Sequence, residues 1–360
     1  YPGFGYADKI EYVDTTDYMK ILQIAKKEKI NGICTTGTDV AIFSIGKVCS
    51  ELGLNGLSES AAKIACNKKL MKQKFAENGV NTAVFHTVST GINYYDAKDI
   101  CEKIGYPVIF KAVDSSGSRG IVKVNKEDEI QRAKNSVLNV THDTHFIIEK
   151  FLEGEEFGAQ SFVQNGKLEF VVPHGDYVFK GDTGVPIGHF APYSVQEIDA
   201  KVEEQLKKAI NVIGLNNCAI NADFMLCNEK VYVLEIGARA GATCLAELVS
   251  IYYGYDYYEK IIRVALGETV DFTPQNTQRQ PNASMLLMSD KDGIIKSIEN
   301  KNIPDENIYE ILFDFNIGDS VRKFRVGPDR IGHVITKGEI INDAVETLHK
   351  ALDNITIEVD

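Results

Sequence analysis

The sequence predicts a mixed α/β (α+β) protein, and three observations carry that reading. Helix and strand patterns alternate over roughly the first fifty residues. The middle of the chain is strand-rich. One β-hairpin carries two acidic residues that oppose each other across its ladder.

Taken in order, residues 9–13 read as a strand, 17–29 as a helix, 32–36 as a short buried strand and 39–52 as a second helix. That βαβα order implies a parallel sheet. A helix over 58–78 follows and ends at Gly79, with Ile64, Leu70, Met71 and Phe75 as its packing residues. Residues 83–88 form a strand, and 97–104 a helix stopped by Gly105 and Pro107. Strands over 108–113 and 120–124 flank a polar, glycine-containing loop, and a helix spans 127–137. Residues 145–151 are apolar and β-branched, as a buried strand requires. A hairpin pairs 157–163 with 168–172 around Asn165-Gly166. Residues 175–192 hold four glycines and two prolines and read as a long polar loop, of the kind that is functional or mobile. An amphipathic helix covers 197–213, the acidic hairpin follows, and a helix runs from 245 to 266. The last part mixes strands such as 283–288 with a helix over 342–353.

At 360 residues the chain can bury two or three cores. Its net charge of −12 argues against a nucleic-acid or anionic-membrane surface. No run approaches the ~18 apolar residues that span a bilayer. The seven cysteines are odd in number and scattered, with no Cys-x-x-Cys pair. They read as reduced thiols of a cytoplasmic protein rather than as a disulfide framework or zinc site. No signal peptide is visible, and the chain opens at Tyr1-Pro2-Gly3 without Met.

Three segments carry chemistry. In the acidic hairpin, a turn centred on Glu229 pairs Leu226 with Tyr232 and Asp223 with Glu235. Like charges directly opposite repel, and a divalent cation would turn that repulsion into a site. Arg239 follows past the strand end, within reach of an anion held by the metal. The alternatives are a solvated acidic pair and an arginine in a local ion pair. In the second segment, Lys111 near a strand end precedes Ser115-Ser116-Gly117-Ser118-Arg119-Gly120. Small residues let backbone N–H groups close over phosphates, and Arg119 adds a charged fork. This is not a Walker loop, and an ordinary polar hairpin loop has the same composition. In the third, Glu149-Lys150-Phe151-Leu152-Glu153-Gly154-Glu155-Glu156 ends a strand in acids among apolar residues. It could present backbone groups to an adenine edge and a carboxylate to a ribose, or be a solvated turn.

Together and in this order, these segments resemble the ATP-grasp superfamily, among its carboxylate–amine ligases related to carbamoyl-phosphate synthetase and amino-acid ligases. The resemblance runs from about Lys9 to Gly267, with a family-like tail. It implies four regions: residues 1–66 before the grasp domain, 67–148 as the small lid subdomain, 149–268 as the large subdomain with the metal site, and 269–360 as a C-terminal extension. It also implies that the family's first strand–turn–helix unit lies outside this chain.

By resemblance, Lys68 in Asn67-Lys68-Lys69-Leu70-Met71-Lys72 matches the early lysine motif. Lys68, Lys111, Ser116, Gly117 and Ser118 would bind phosphates. Glu149, Lys150 and Leu152 would form the adenine hinge, and Glu156 would take the ribose. Asp223 and Glu235 would hold Mg²⁺, or Mn²⁺ in its place. Arg239, Lys111 and Arg119 would be catalytic. Lys180 and His189 lie where substrate loops are found. Arg325 and Arg330 could meet a substrate carboxylate or sit in surface ion pairs. Many members carry Asn two residues after the second acid, but this chain has Gly237, so a second metal ion would lack that ligand.

The implied reaction joins a small-molecule carboxylate to an amine through an acyl phosphate, releasing ADP, with an amino acid or small metabolite acid as substrate. Two alternatives remain: a regulatory or scaffold module with an inactive grasp fold, and an acid kinase that delivers acyl phosphate to a partner. Biotin carboxylase chemistry is disfavoured because no biotinyl-lysine module is visible. Related enzymes commonly dimerise, so a homodimer is the assembly implied.

Overall fold

The computed structural model describes residues 2–115, 119–181, 184–193, 198–275 and 278–360. Four helices open the chain: α1 (Tyr18–Glu28), α2 (Ile42–Leu52), α3 (Glu59–Ala65) and α4 (Lys68–Glu77). The parallel sheet expected here does not form among the described residues. Residues 9–13 and 32–36 are irregular, apart from one parallel bridge between Thr36 and Ala240. A parallel strand needs a hydrogen-bonded neighbour along its length, and residues 32–36 have one only at Thr36.

The helix expected over 58–78 is two helices. Asn67 adopts an extended conformation and caps the second, accepting from the Leu70 N–H at 3.1 Å. Met71 and Phe75 bury as expected.

A four-stranded antiparallel sheet follows. Its strands are β1 (Phe85–Ser89), β2 (Val108–Ala112), β3 (Ile121–Val124) and β4 (His145–Lys150), in the order β1-β4-β2-β3. Helices α5 (Tyr94–Ile104) and α6 (Ile130–Leu138) cover one face. Strand alternation assigns the faces. Val108, Phe110, Ala112, Phe146 and Ile148 point into a core with Ala97, Cys101, Ala133 and Val137. Ile109, Lys111, Ile147 and Glu149 therefore point the other way.

The larger sheet has eight strands, all paired antiparallel. Those introduced here are β5 (Glu155–Gln164), β6 (Lys167–Val178), β7 (Pro186–Ala191), β8 (Cys218–Cys227) and β9 (Lys230–Gly237), with α7 (Asp199–Ile213) packed behind. Phe157 stacks between Tyr193 and Phe224, at centroid distances of 4.9 and 5.4 Å. Each such ring pair adds about 0.5–1.5 kcal/mol beyond its buried area.

The stretch 175–192, expected as a loop, is largely a hairpin of β6 and β7, with Asp176 paired to His189. The helix expected over 245–266 is two, α8 (Leu245–Tyr253) and α9 (Tyr257–Ala265), because Gly254 takes φ 78 and Asp256 caps a fresh start.

The chain closes with β10 (Asn282–Leu287), β11 (Gly293–Asn300), β12 (Ile308–Phe313), β13 (Ser320–Val321), β14 (Gly332–Lys337), α10 (Ile341–Asp353) and β15 (Ile355–Val359). Strands β12, β14 and β10 continue the large sheet beyond β7, giving β12-β14-β10-β7-β6-β5-β8-β9. Strands β13, β11 and β15 form a separate small sheet. Among the described residues, no helix is long and apolar enough to cross a membrane.

Candidate active site between the two sheets

Lys111 is buried on the open face of β2. Burial pulls its pKa down, but Glu149, Glu235, Asp223 and Glu156 outweigh that and hold the ammonium charged. Among the described residues it has no ion-pair partner within 4.0 Å, although four carboxylates act on it. Its cation belongs to the cleft rather than to one acid.

Helix α4 inserts two lysines into the same cleft. Lys68 opens the helix, where its backbone N–H donates to the Val113 carbonyl at 2.9 Å. Its Nζ reaches Glu235 Oε1 at 2.5 Å and the Ser115 carbonyl at 2.7 Å. One helical turn later, Lys72 Nζ meets Glu149 Oε2 at 2.6 Å and donates to Thr82 Oγ1 at 2.8 Å. The small sheet and the acidic hairpin are thus linked by lysines from one helix face.

The hairpin brings Asp223 and Glu235 directly opposite each other, but not by the expected route. The turn is tighter: Cys227 pairs with Lys230, and Asn228 and Glu229 both have positive φ, at 49° and 61°. These values match a two-residue type I′ turn. A regular ladder from it would set Leu234 opposite Asp223 and turn Glu235 to the face of buried Ala222. A bulge at Leu234 adds one residue and returns Glu235 to the cleft face.

The two acids then diverge. Burial raises Asp223, and Glu235, Asp176 and Glu156 add to the effect against Arg239, pushing its carboxyl up to about 7. Burial also raises Glu235, but Lys68 and Lys111 outweigh it and hold the carboxyl low.

Beside them runs a polar row that the sequence did not reveal. Gly158 pairs with His174 on one side and Asp223 on the other. A Cβ there would lie 2.2 Å from His174 Cε1, so only glycine leaves room for the imidazole. His174 and His189 are both buried, and their Nδ1 atoms meet the same Asp176 oxygen at 2.9 and 2.5 Å. Burial raises Asp176, but the two histidines outweigh it and hold the carboxyl well below its ordinary range. Gln160 Nε2 lies 3.3 Å from His174 Nε2 and donates to Asn221 Oδ1 at 2.6 Å, while Asn221 donates to Asp223 Oδ1 at 3.3 Å. His174, Asp176, Gln160 and Asn221 follow the alternation of β5, β6 and β8. That periodicity was the available signal, and reading 175–192 as a loop concealed it.

The remaining sequence candidates scatter. Glu156 is exposed at the start of β5, where partial desolvation and then the Asp176 charge raise its carboxyl. Leu152 is half-buried in the segment between β4 and β5. The Lys150 ammonium turns away and donates to the Gly105 and Tyr106 carbonyls at 2.8 and 3.2 Å. Ser116, Gly117 and Ser118 lie outside the described residues. Arg119 is exposed at the loop's end. Asp114 anchors the base of that loop, accepting from Thr141 Oγ1 and the His142 and Asp143 N–H groups at 2.7, 2.7 and 3.0 Å.

Lys180 is exposed in the segment joining β6 and β7. Arg325 reaches Asp292 at 3.5 Å on an exposed surface. Arg330 bonds Asp314 at 2.8 Å, and its charge is felt by Cys244 at the start of α8. Arg239 Nη2 bonds Asp39 Oδ2 at 2.6 Å.

The donor set suits a hard divalent cation and a polyphosphate. Two carboxylates oppose each other at the hairpin, one of them pushed up by burial and then by neighbouring negative charge, which a cation would offset. Lys68 and Lys111 stand on the same cleft.

Comparison with known proteins identifies the family. A model of the ATP-grasp domain matches residues 104–247, and one of the L-amino acid ligase C-terminal domain 2 matches 285–360. The chain is 26% identical over 285 residues to alanine–anticapsin ligase of Bacillus subtilis (strain 168), covering 73% of this chain and 60% of that protein. It is also 26% identical over 298 residues to the C-terminal section of the carbamoyl phosphate synthase large chain of Aquifex aeolicus (strain VF5), covering 79% of this chain and 53% of that one. The chain therefore spans about three-fifths or less of the length of these two curated relatives. The crystal structure of phosphoribosylglycinamide synthetase from Anaerococcus prevotii superposes with a TM-score of 0.85 at 36% identity, covering 100% of this chain and 90% of that one. On the fold, the domain match and this full-length similarity, the chain belongs to the ATP-grasp family, on the branch of its carboxylate–amine ligases.

Proposed function

We propose that the protein is an ADP-forming ligase that joins a carboxylic acid to an amine through an acyl phosphate. The observation that carries this reading is the cleft's charge arrangement. Asp223 and Glu235 oppose each other on adjacent strands, with Lys68, Lys111 and Arg239 around them.

A carboxylate is a poor electrophile, and transfer of the γ-phosphoryl group gives it a good leaving group. Asp223 and Glu235 would hold Mg²⁺, or Mn²⁺ in its place, which would supply positive charge against the negative charge that develops on the phosphates. Lys68 and Lys111 hold phosphate oxygens, and Arg239 stabilises charge on the transferring group and then the oxyanion of amine attack. Phosphate leaves as the C–N bond forms. The segment 149–152 borders the adenine, and Glu156 takes the ribose.

The acid lies over the Asp176–His189–His174 row, where a fixed imidazole can orient a carboxylate. Of the two C-terminal arginines, the half-buried Arg330 suits a substrate carboxylate better than the exposed Arg325. The similarity to an alanine–anticapsin ligase and to the L-amino acid ligase C-terminal domain supports an amino acid as one substrate.

The test is ADP release from Mg·ATP with amino acids and small carboxylates, offered singly and in pairs. ADP that requires both an acid and an amine establishes ligation. ADP with the acid alone supports the acid kinase instead, and measurable Mg·ATP binding without ADP supports a regulatory module. Glu235→Gln should abolish turnover while preserving the fold by circular dichroism; retained turnover would remove Glu235 from the metal site.

A further inference from the structure

The space beside Gly237 is filled by another residue. A Cβ built on Gly237 would lie 2.8 Å from Asp39 Oδ1, closer than real side chains approach. The other oxygen of that carboxylate takes Arg239 Nη2 at 2.6 Å. Asp39 is held in place by backbone: Thr36 bridges Ala240, and the Gly37 N–H donates to the Ala240 carbonyl at 3.0 Å. Arg239 has one further bond, from Nη1 to the Ala240 carbonyl at 3.3 Å, and its buried Nε has no partner among the described residues. A guanidinium is planar, and an ion pair at one Nη fixes the direction in which its remaining donors point.

We propose that Asp39 is a positioning residue. It orients the Arg239 fork toward the anion that a cation on Asp223 and Glu235 would hold, and Gly237 is glycine because that carboxylate needs the space. The inference rests on the ligase reading of Arg239. An ion pair that merely joined the N-terminal segment to β9 would affect stability and leave anion affinity alone.

The experiment uses the full chain saturated with Mg·ADP and titrated calorimetrically with inorganic phosphate. Arg239→Ala should weaken phosphate at least tenfold. Asp39→Ala should weaken it about three- to tenfold, with Mg·ADP affinity unchanged, and should have no further effect in the Arg239→Ala background, as expected for coupled residues. Asp39→Asn, which keeps the shape and loses the charge, should fall between wild type and Asp39→Ala. Gly237→Ala should mimic Asp39→Ala and add nothing to it. Wild-type phosphate affinity in Asp39→Ala, alongside weakened binding in Arg239→Ala, overturns the positioning role alone. Phosphate affinity that is immeasurable in wild type, or unchanged in Arg239→Ala, overturns the anion-binding role of Arg239 and the inference with it.

Discussion

Lys72 and Glu149 form an ion pair with side chains only 1% and 7% exposed. Burial pulls the Lys72 pKa down even against Glu149, whereas Lys72 and Lys111 outweigh burial and hold Glu149 low. Removing one partner of such a pair strands a charge. Lys72→Met is therefore expected to cost about 3–5 kcal/mol, and Lys72→Met/Glu149→Leu to recover most of it. Urea midpoints read both; an unchanged midpoint in the single variant would dissociate the pair from stability. Lys72 illustrates what the sequence withheld. In isolation it is an ordinary helix lysine, and only the docking of α4 between two sheets buries it. Asp39 was hidden for the same reason, since its partner Arg239 lies on another segment, whereas His174 meets Asp176 on its own strand and was hidden when 175–192 was read as a loop. Asp223 and Lys111 were legible because local strand alternation sets their direction, whereas Glu235 reaches the same face only through the Leu234 bulge.

At the scale of elements, the acidic hairpin reached the expected pair through two departures that cancel. The turn is one residue shorter than expected, and the Leu234 bulge restores the register. Bulges follow no composition rule, so only the turn could have been read more closely. Glu229, at φ 61°, is a non-glycine residue in a left-handed position. Glu229→Gly should raise stability by about 0.5–1 kcal/mol, with turnover unchanged, because it relieves left-handed strain at the turn. A lowered urea midpoint would contradict that origin. The misread hairpin of β6 and β7 has a different cause. One of its faces is polar toward the cleft, while glycines on the other make room: a Cβ on Gly175 would strike the Phe190 ring at 2.0 Å, and one on Gly188 the Ser284 carbonyl at 2.2 Å. A strand with that pattern lacks the apolar alternation that announces strands. The helix breaks at Asn67 and Gly254 were marked by residue types that favour caps, and helical periodicity had overridden them.

At the scale of the molecule, the cleft draws Lys111 from one sheet and Asp223 and Glu235 from the other, so a nucleotide there would join them. Mg·ATP at a hundredfold excess over its dissociation constant should raise the unfolding free energy by about 2.7 kcal/mol. Amide exchange should slow in both β2–β3 and β8–β9; protection confined to one sheet would place the nucleotide elsewhere. The mixed architecture and its central sheets were readable from pattern, whereas the parallel N-terminal sheet was not formed, because periodicity reports a strand's tendency and not its neighbour. The C-terminal strands have a consequence for protein engineering. Strands β10, β14 and β12 continue the sheet that carries Asp223 and Glu235, and Ser284 of β10 sits opposite His189. Grafting this segment from a relative would replace the strand that faces His189 along with the sheet's margin. A graft that omitted β10 would leave β7 as a naked edge, inviting another chain to pair with it. The residues facing His189 and the resistance to aggregation would thus be inherited together.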